Sequence, residues 1–138
     1  YQNQVAAARM ADMEKTLMDM RMGQARMFAE QGRFFPGTAA DPYIFDEDMA
    51  TNADRETLER VLGIDKPLPP STVLTVYGGR PGEVCSTMIG GENIGCPASV
   101  ESSWYVIAIE RDLNPSNPEL TTLVSNNSGY VSTYNTAD

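Results

Sequence analysis

At 138 residues the chain fits one ordinary domain and leaves little room for a second. Hydrophobic residues make up 41% of it and charged residues 21%, which excludes an intrinsically disordered segment and supplies a real core. Lys and Arg number 10 against 19 Asp and Glu, and the net charge of −9 repels nucleic-acid phosphates and anionic lipid, so direct nucleic-acid binding is disfavoured.

Residues 1–33 read as one long helix. From Gln2 to about Gln31 there is no Pro, a single interior Gly (Gly23), and a dense supply of Ala, Met, Leu, Arg, Lys and Glu. Ala6, Met10, Met13, Leu17, Met20 and Met27 recur at steps of three and four, broken only at Gln24, and define a packing face. Met18, Met22 and Ala25 are expected to widen it, while Arg9, Asp12, Lys15, Asp19, Arg26 and Glu30 mostly fall outside. Such a Met stripe is core packing rather than a copper site, because thioether sites usually bring His or Cys as well. Gly32 and Pro36-Gly37 end the helix.

Residues 34–71 form a connection too long to be empty. A short helix is expected near 53–62: Thr51 or Asn52 can cap it, Asp54 and Glu56 lie in its first turn, Gly63 stops it, and Leu58, Val61 and Leu62 form its buried side. The carboxylates of Asp46, Glu47 and Asp48 are adjacent in sequence, which suits a solvated acidic loop better than an acid/base pair converging on one substrate atom.

Residues 72–138 carry the strand signals. "STVLTVYGG" alternates β-branched and apolar residues and reads as a strand, with "YGGRPGE" as a hairpin turn rather than a phosphate loop, since it lacks the Lys-Ser/Thr step. "EVCSTMIGG" is a second strand or the first arm of a disulfide loop. "SSWYVIAIERD" is the strongest strand, with either Trp104, Val106 and Ala108 or Tyr105, Ile107 and Ile109 facing the core. "LTTLVSN" and "GYVSTYN" close the sheet around a turn at Asn126-Asn127-Ser128-Gly129. Asn126-Asn127-Ser128 also has the spacing of an N-glycosylation acceptor, a short motif common by chance.

Cys85 and Cys96 bracket the segment 86–95, a spacing that suits a disulfide-closed loop. Free buried thiols are the alternative, and a metal site is disfavoured because the chain has no His to complete it. The order of one long helix, an irregular segment and several antiparallel strands makes an α+β domain.

The opening, "YQNQVAAARMADMEKTL" followed by "QARMFAEQGRFFPG", resembles the helix of type IV pilins and their pseudopilin relatives. In that family a very hydrophobic helical half reaches an Ala-Ile-Pro-like step and continues as Tyr-Gln-Asn, with an amphipathic half ending near a Gly-Arg-Tyr/Phe-Pro turn. Tyr1, Gln2 and Asn3 match the residues after the step; Gly32, Arg33, Phe34 and Pro36 match the exit, with one extra residue, Phe35. The motif match covers residues 1–36, and the remainder matches in architecture: an αβ-loop, then an antiparallel sheet packed on the helix. The family's Cys pair usually encloses a larger segment near the C-terminus, whereas here 42 residues follow Cys96.

The resemblance implies a structural subunit, major or minor, of an extracellular filament on the bacterial surface, serving adhesion, motility or DNA uptake. Its partners would be other pilin subunits and the pilus assembly machinery. The membrane would be met only through an apolar segment upstream of Tyr1 that anchors the subunit in the inner membrane before assembly. A type II secretion pseudopilin is the nearest alternative; a secreted or periplasmic binding module is the alternative from another class. Some major pseudopilins hold calcium in a loop among their C-terminal strands, and Asp112, Asn114, Asn117 and Glu119 carry the oxygen ligands calcium takes. Their spacing matches no EF-hand, and a Pro-bearing turn with side chains bonded to their own backbone is the preferred reading, so no cofactor is expected. Without His, and with no base beside either Cys, nucleophilic catalysis of the usual kinds has no machinery, and the chain is not expected to be an enzyme.

Overall fold

The computed structural model describes residues 2–38, 41–89, 92–97, 101–113, 119–129 and 131–137. Helix α1 runs Gln2–Gln31 and is followed by strand β1 (Tyr43–Asp46), a single 3-10 turn at Glu47–Met49 and helix α2 (Asn52–Leu62). Strands β2 (Val73–Gly79), β3 (Met88–Ile89), β4 (Glu92–Asn93), β5 (Trp104–Asp112), β6 (Glu119–Asn126) and β7 (Val131–Ala137) complete the chain. The fold is α+β: β1, β2, β5, β6 and β7 form one antiparallel sheet in that order, and β3 and β4 pair as a separate short ribbon.

α1 lies on one face of the sheet. Met13, Leu17 and Met20 are buried there among Leu74, Val76, Tyr105, Ile107, Ile109 and Leu123, with Met10 and Met27 half-buried at the two ends. Each fully buried Leu or Met contributes about 2 kcal/mol by removal of apolar surface from water. Met18 and Met22 do not widen this stripe: they are 54% and 68% exposed, and Ala25 is exposed beside them. The seam passes instead through Gly23 and Gln24, both buried, where the apolar periodicity breaks.

Gly23 is where α2 crosses α1. A Cβ built there would stand 2.7 Å from both Cα and O of Leu62, so the contact is backbone against helix and nothing flexible can yield. α2 holds this position through a capping box, Thr51 Oγ1 accepting from Asp54 N–H and Asp54 accepting from Thr51 N–H, and ends at Gly63 in the left-handed region. Its Leu58, Val61 and Leu62 are buried, and Arg26 of α1 donates to the Val61 carbonyl. Gly23→Ala therefore sets two effects against each other. Helix propensity favours Ala by about 1 kcal/mol, whereas overpacking against fixed backbone costs about 1–3 kcal/mol. The expected outcome is a net loss of stability, read as a lower urea midpoint with an unchanged slope.

The opposite face of the sheet is also covered. Trp104, Val106, Ala108 and Val124 form a second small core with Cys85, flanked by Tyr77, Ile94 and Cys96. The two alternative core-facing sets of β5 are thus both buried, one under α1 and the other under the disulfide-bearing segment. That segment begins at a turn in which Glu83 N–H reaches the Arg80 carbonyl, with Pro81 and Gly82 (φ +85) in the central positions of a type II geometry. It is not a hairpin, because β2 pairs with β5 rather than with the next strand in sequence. Of the described residues 83–89, only Met88–Ile89 form a strand. β1, which has no counterpart among the sequence expectations, pairs along β2 and places Phe45 in the main core.

Candidate functional site

α1 leaves one flank unpaired. Met18, Arg21, Met22, Ala25 and Phe28 follow one another at helical steps of three, one, three and three along that flank. Opposite them stand Phe34 from the Gly-Arg-Phe-Phe-Pro-Gly turn, Tyr105 at the start of β5 and Asn127 in the β6–β7 turn; together they line a groove of about 460 Å³. Phe34 fixes its wall, stacking on Phe28 at 4.7 Å and standing edge-on to Tyr105 at 4.9 Å. Arg21 is the one cation in the lining, and its Nε is buried without a hydrogen-bond partner. The groove is an apolar trough with one unsatisfied donor, the composition of a docking surface rather than of a catalytic cleft.

The turn that forms this wall is locked by Gln24. This side chain is 0% exposed; its Nε2 donates to the Phe35 carbonyl and its Oε1 accepts from Phe35 N–H, both at 2.7 Å. A buried glutamine inside an apolar stripe thus replaces the pairing that the backbone loses as it turns away from the helix. Phe35 also packs edge-on against Tyr43 at 5.1 Å, and Arg80 Nε donates to the Gly37 carbonyl, so the turn is pinned to β1 and to the end of β2 as well.

Tyr43 donates its hydroxyl to the Asp54 carbonyl and joins β1 to α2. Burial first, and then the Asp54 carboxylate, push its phenol up from 10.0 to about 12. Because the folded value lies above the unfolded one, its contribution to stability is complete below pH 10 and is lost as pH rises through about 12. Alkaline titration of phenolate absorbance is expected to include a late phase from Tyr43, and Tyr43→Phe to remove that phase.

The other residues singled out in the sequence fall elsewhere. Cys85 and Cys96 are bonded, with Cα atoms 5.6 Å apart, on the face away from α1. Asn114 and Asn117 lie outside the described residues, as does the Glu119 side chain; Asp112 is half-buried at the end of β5, where its backbone carbonyl accepts from Arg9. Among the described residues no group of His, Cys, Asp or Glu is placed to hold a metal ion. The acidic run has structural partners: Asp46 accepts from Asp48 N–H, Glu47 meets Arg55 at 2.8 Å, and both Asp48 carboxylate oxygens take Ser71 N–H. Asn126 donates from Nδ2 to the Gly95 carbonyl and accepts Ser128 N–H, which commits its amide to tying the disulfide segment to the β6–β7 turn.

Arg111, also missed from sequence, is buried on the α1 face of β5. Burial, and next the neighbouring Arg9, lower its pKa, with Asp12 opposing. No described helix is long and apolar enough to cross a membrane. Comparison with protein-family models, with curated proteins and with solved structures finds no match.

Proposed function

We propose that this chain is the globular part of a type IV pilin-class subunit, which assembles with like subunits into an extracellular filament. The observation that carries the reading is the two-sided α1: a 30-residue helix buried along one side against an antiparallel sheet, and bearing on its flank exposed Met18, Met22 and Phe28. A helix serving only its own domain has no use for that second apolar strip, whereas a subunit packed among copies of itself covers it. The likeness of residues 1–36 to the pilin helix and its exit turn points the same way. The Cys85–Cys96 bond agrees with an oxidising compartment outside the cytoplasm.

On this reading the chain works by assembly and not by turnover. A hydrophobic helical segment upstream of Tyr1 would anchor the subunit in the membrane and then pack against other such helices in the filament core. Reading the native coding sequence upstream of Tyr1 tests it. A short basic leader and roughly two dozen apolar residues running directly into α1 are expected. An ordinary cleavable signal peptide ending at Tyr1 would sink the reading and leave a secreted module that binds a partner through α1.

A further inference from the structure

We infer that the α1 groove seats the 46–49 turn of a second copy, with Met49 entering the apolar trough and Asp48 facing Arg21. This rests on the filament reading and names the contact through which it would propagate.

The groove sets two requirements. Its walls of Met22, Phe28, Phe34 and Tyr105 call for an apolar side chain, and the guanidinium of half-buried Arg21, the one cation of the lining, calls for a carboxylate beside it. The chain itself carries a surface with that pairing. Among the described residues Met49 is the most exposed large hydrophobic, at 79%, and it closes a 3-10 turn beside exposed Asp48. The Asp48 carboxylate is held in place by Ser71 N–H, at 3.1 and 3.2 Å, so a guanidinium meets an oriented acceptor with lone pairs to spare. Charge argues for such a lock: two copies each at −9 repel, and a contact between them needs a cation on one side to be specific.

Position decides what the contact builds. Asp46 is in register with Val73, and Val73 with Glu110, so the 46–49 turn sits at the Glu110 end of β5. The groove uses Tyr105 at the other end of the same strand. At the rise of an extended strand these points are about 17 Å apart along it. Groove and turn are therefore different patches, set apart along the strand direction of one subunit. Made once per pair of copies, this contact is heterologous: it leaves a free groove and a free turn after each addition and so extends an array, whereas a pair that made it reciprocally would close as a two-fold dimer.

The test mixes full chains carrying Ala25→Cys, at the groove, with full chains carrying Asn52→Cys, just beyond the turn, and treats them with a short bismaleimide that ignores the Cys85–Cys96 bond. The mixed product is expected to exceed its statistical share over the two self-products. Asp48→Asn in the Asn52→Cys chain keeps an acceptor for Ser71 N–H while removing the charge, and is expected to cut the excess about fivefold; Met49→Asp is expected to abolish it. Statistical yields, dominant self-products, or an excess untouched by Met49→Asp overturn the docking. The two readings fail separately. Statistical yields from a chain with a pilin-type leader defeat the docking alone. A Met49-dependent mixed product from a chain with an ordinary signal peptide defeats the filament reading alone.

Discussion

Gln24→Leu is expected to lower stability by about 3 kcal/mol, although it replaces a polar residue by an apolar one at a fully buried site in an apolar seam. Leucine matches the periodicity of α1 and its helix propensity is at least as good, so local rules favour the change. The tertiary structure reverses the sign, because Phe35 N–H and C=O have the Gln24 amide as their partner, at 2.7 Å each, and its removal leaves two shielded backbone groups unpaired. Chemical denaturation reads the loss. The second readout is the groove: with the turn released, Phe34 leaves Phe28 and Tyr105, and the apolar wall goes with it. Gln24→Glu separates hydrogen bonding from packing. Below about pH 4 the protonated acid can both donate and accept, and stability approaches that of the parent; at neutral pH the carboxylate faces the Phe35 carbonyl and the loss returns. A Gln24→Leu chain as stable as the parent would mean that water reaches Phe35 and that the amide is not the lock.

Opening the disulfide, by reduction or by replacing both Cys85 and Cys96 with Ser, is expected to cost about 3 kcal/mol, the chain entropy restored to the unfolded state when a loop of this length is released. The loss should be local in its structural signature. Cys85 covers the face of β5 that carries Trp104, Val106 and Ala108, and the main core under α1 shares none of these side chains. Trp104 is the chain's one tryptophan, 1% exposed, with its Nε1 donating to the Glu83 carbonyl. Its emission is therefore expected to shift to the red when the cover loosens, while helical circular dichroism is retained at temperatures where the fold survives. Emission and midpoint both unchanged would show that the Trp104–Glu83 and Asn126–Gly95 hydrogen bonds hold the cover without the bond.

Local chemistry made much of the fold legible. α1 could be read from composition and from the Gly and Pro after it, and α2 from its cap, its acidic first turn and Gly63, because caps and breakers act within a few residues of themselves. The turn between β6 and β7 was legible for the same reason. β1 was not: Tyr43 to Asp46 is too short to show a period, and it is a strand because β2 offers it an edge. The groove was half legible. Met18 and Met22 stand out in the sequence, but hydrophobicity alone places them in the core.

What the sequence determined by itself is what short-range physics controls: the class, the two helices and their ends, the strand-rich second half, and a cysteine spacing fit to close a loop. Which surfaces meet was decided only by the tertiary structure. It buried both faces of β5, put Gly23 against the backbone of Leu62, turned Gln24 from a flaw in a stripe into the clamp on Phe35, and left one flank of α1 uncovered. The physical reason is that burial belongs to a pair of surfaces. A side chain's polarity states what it would cost to bury it, and only the element packed against it decides whether it is buried and whether its polar atoms find partners.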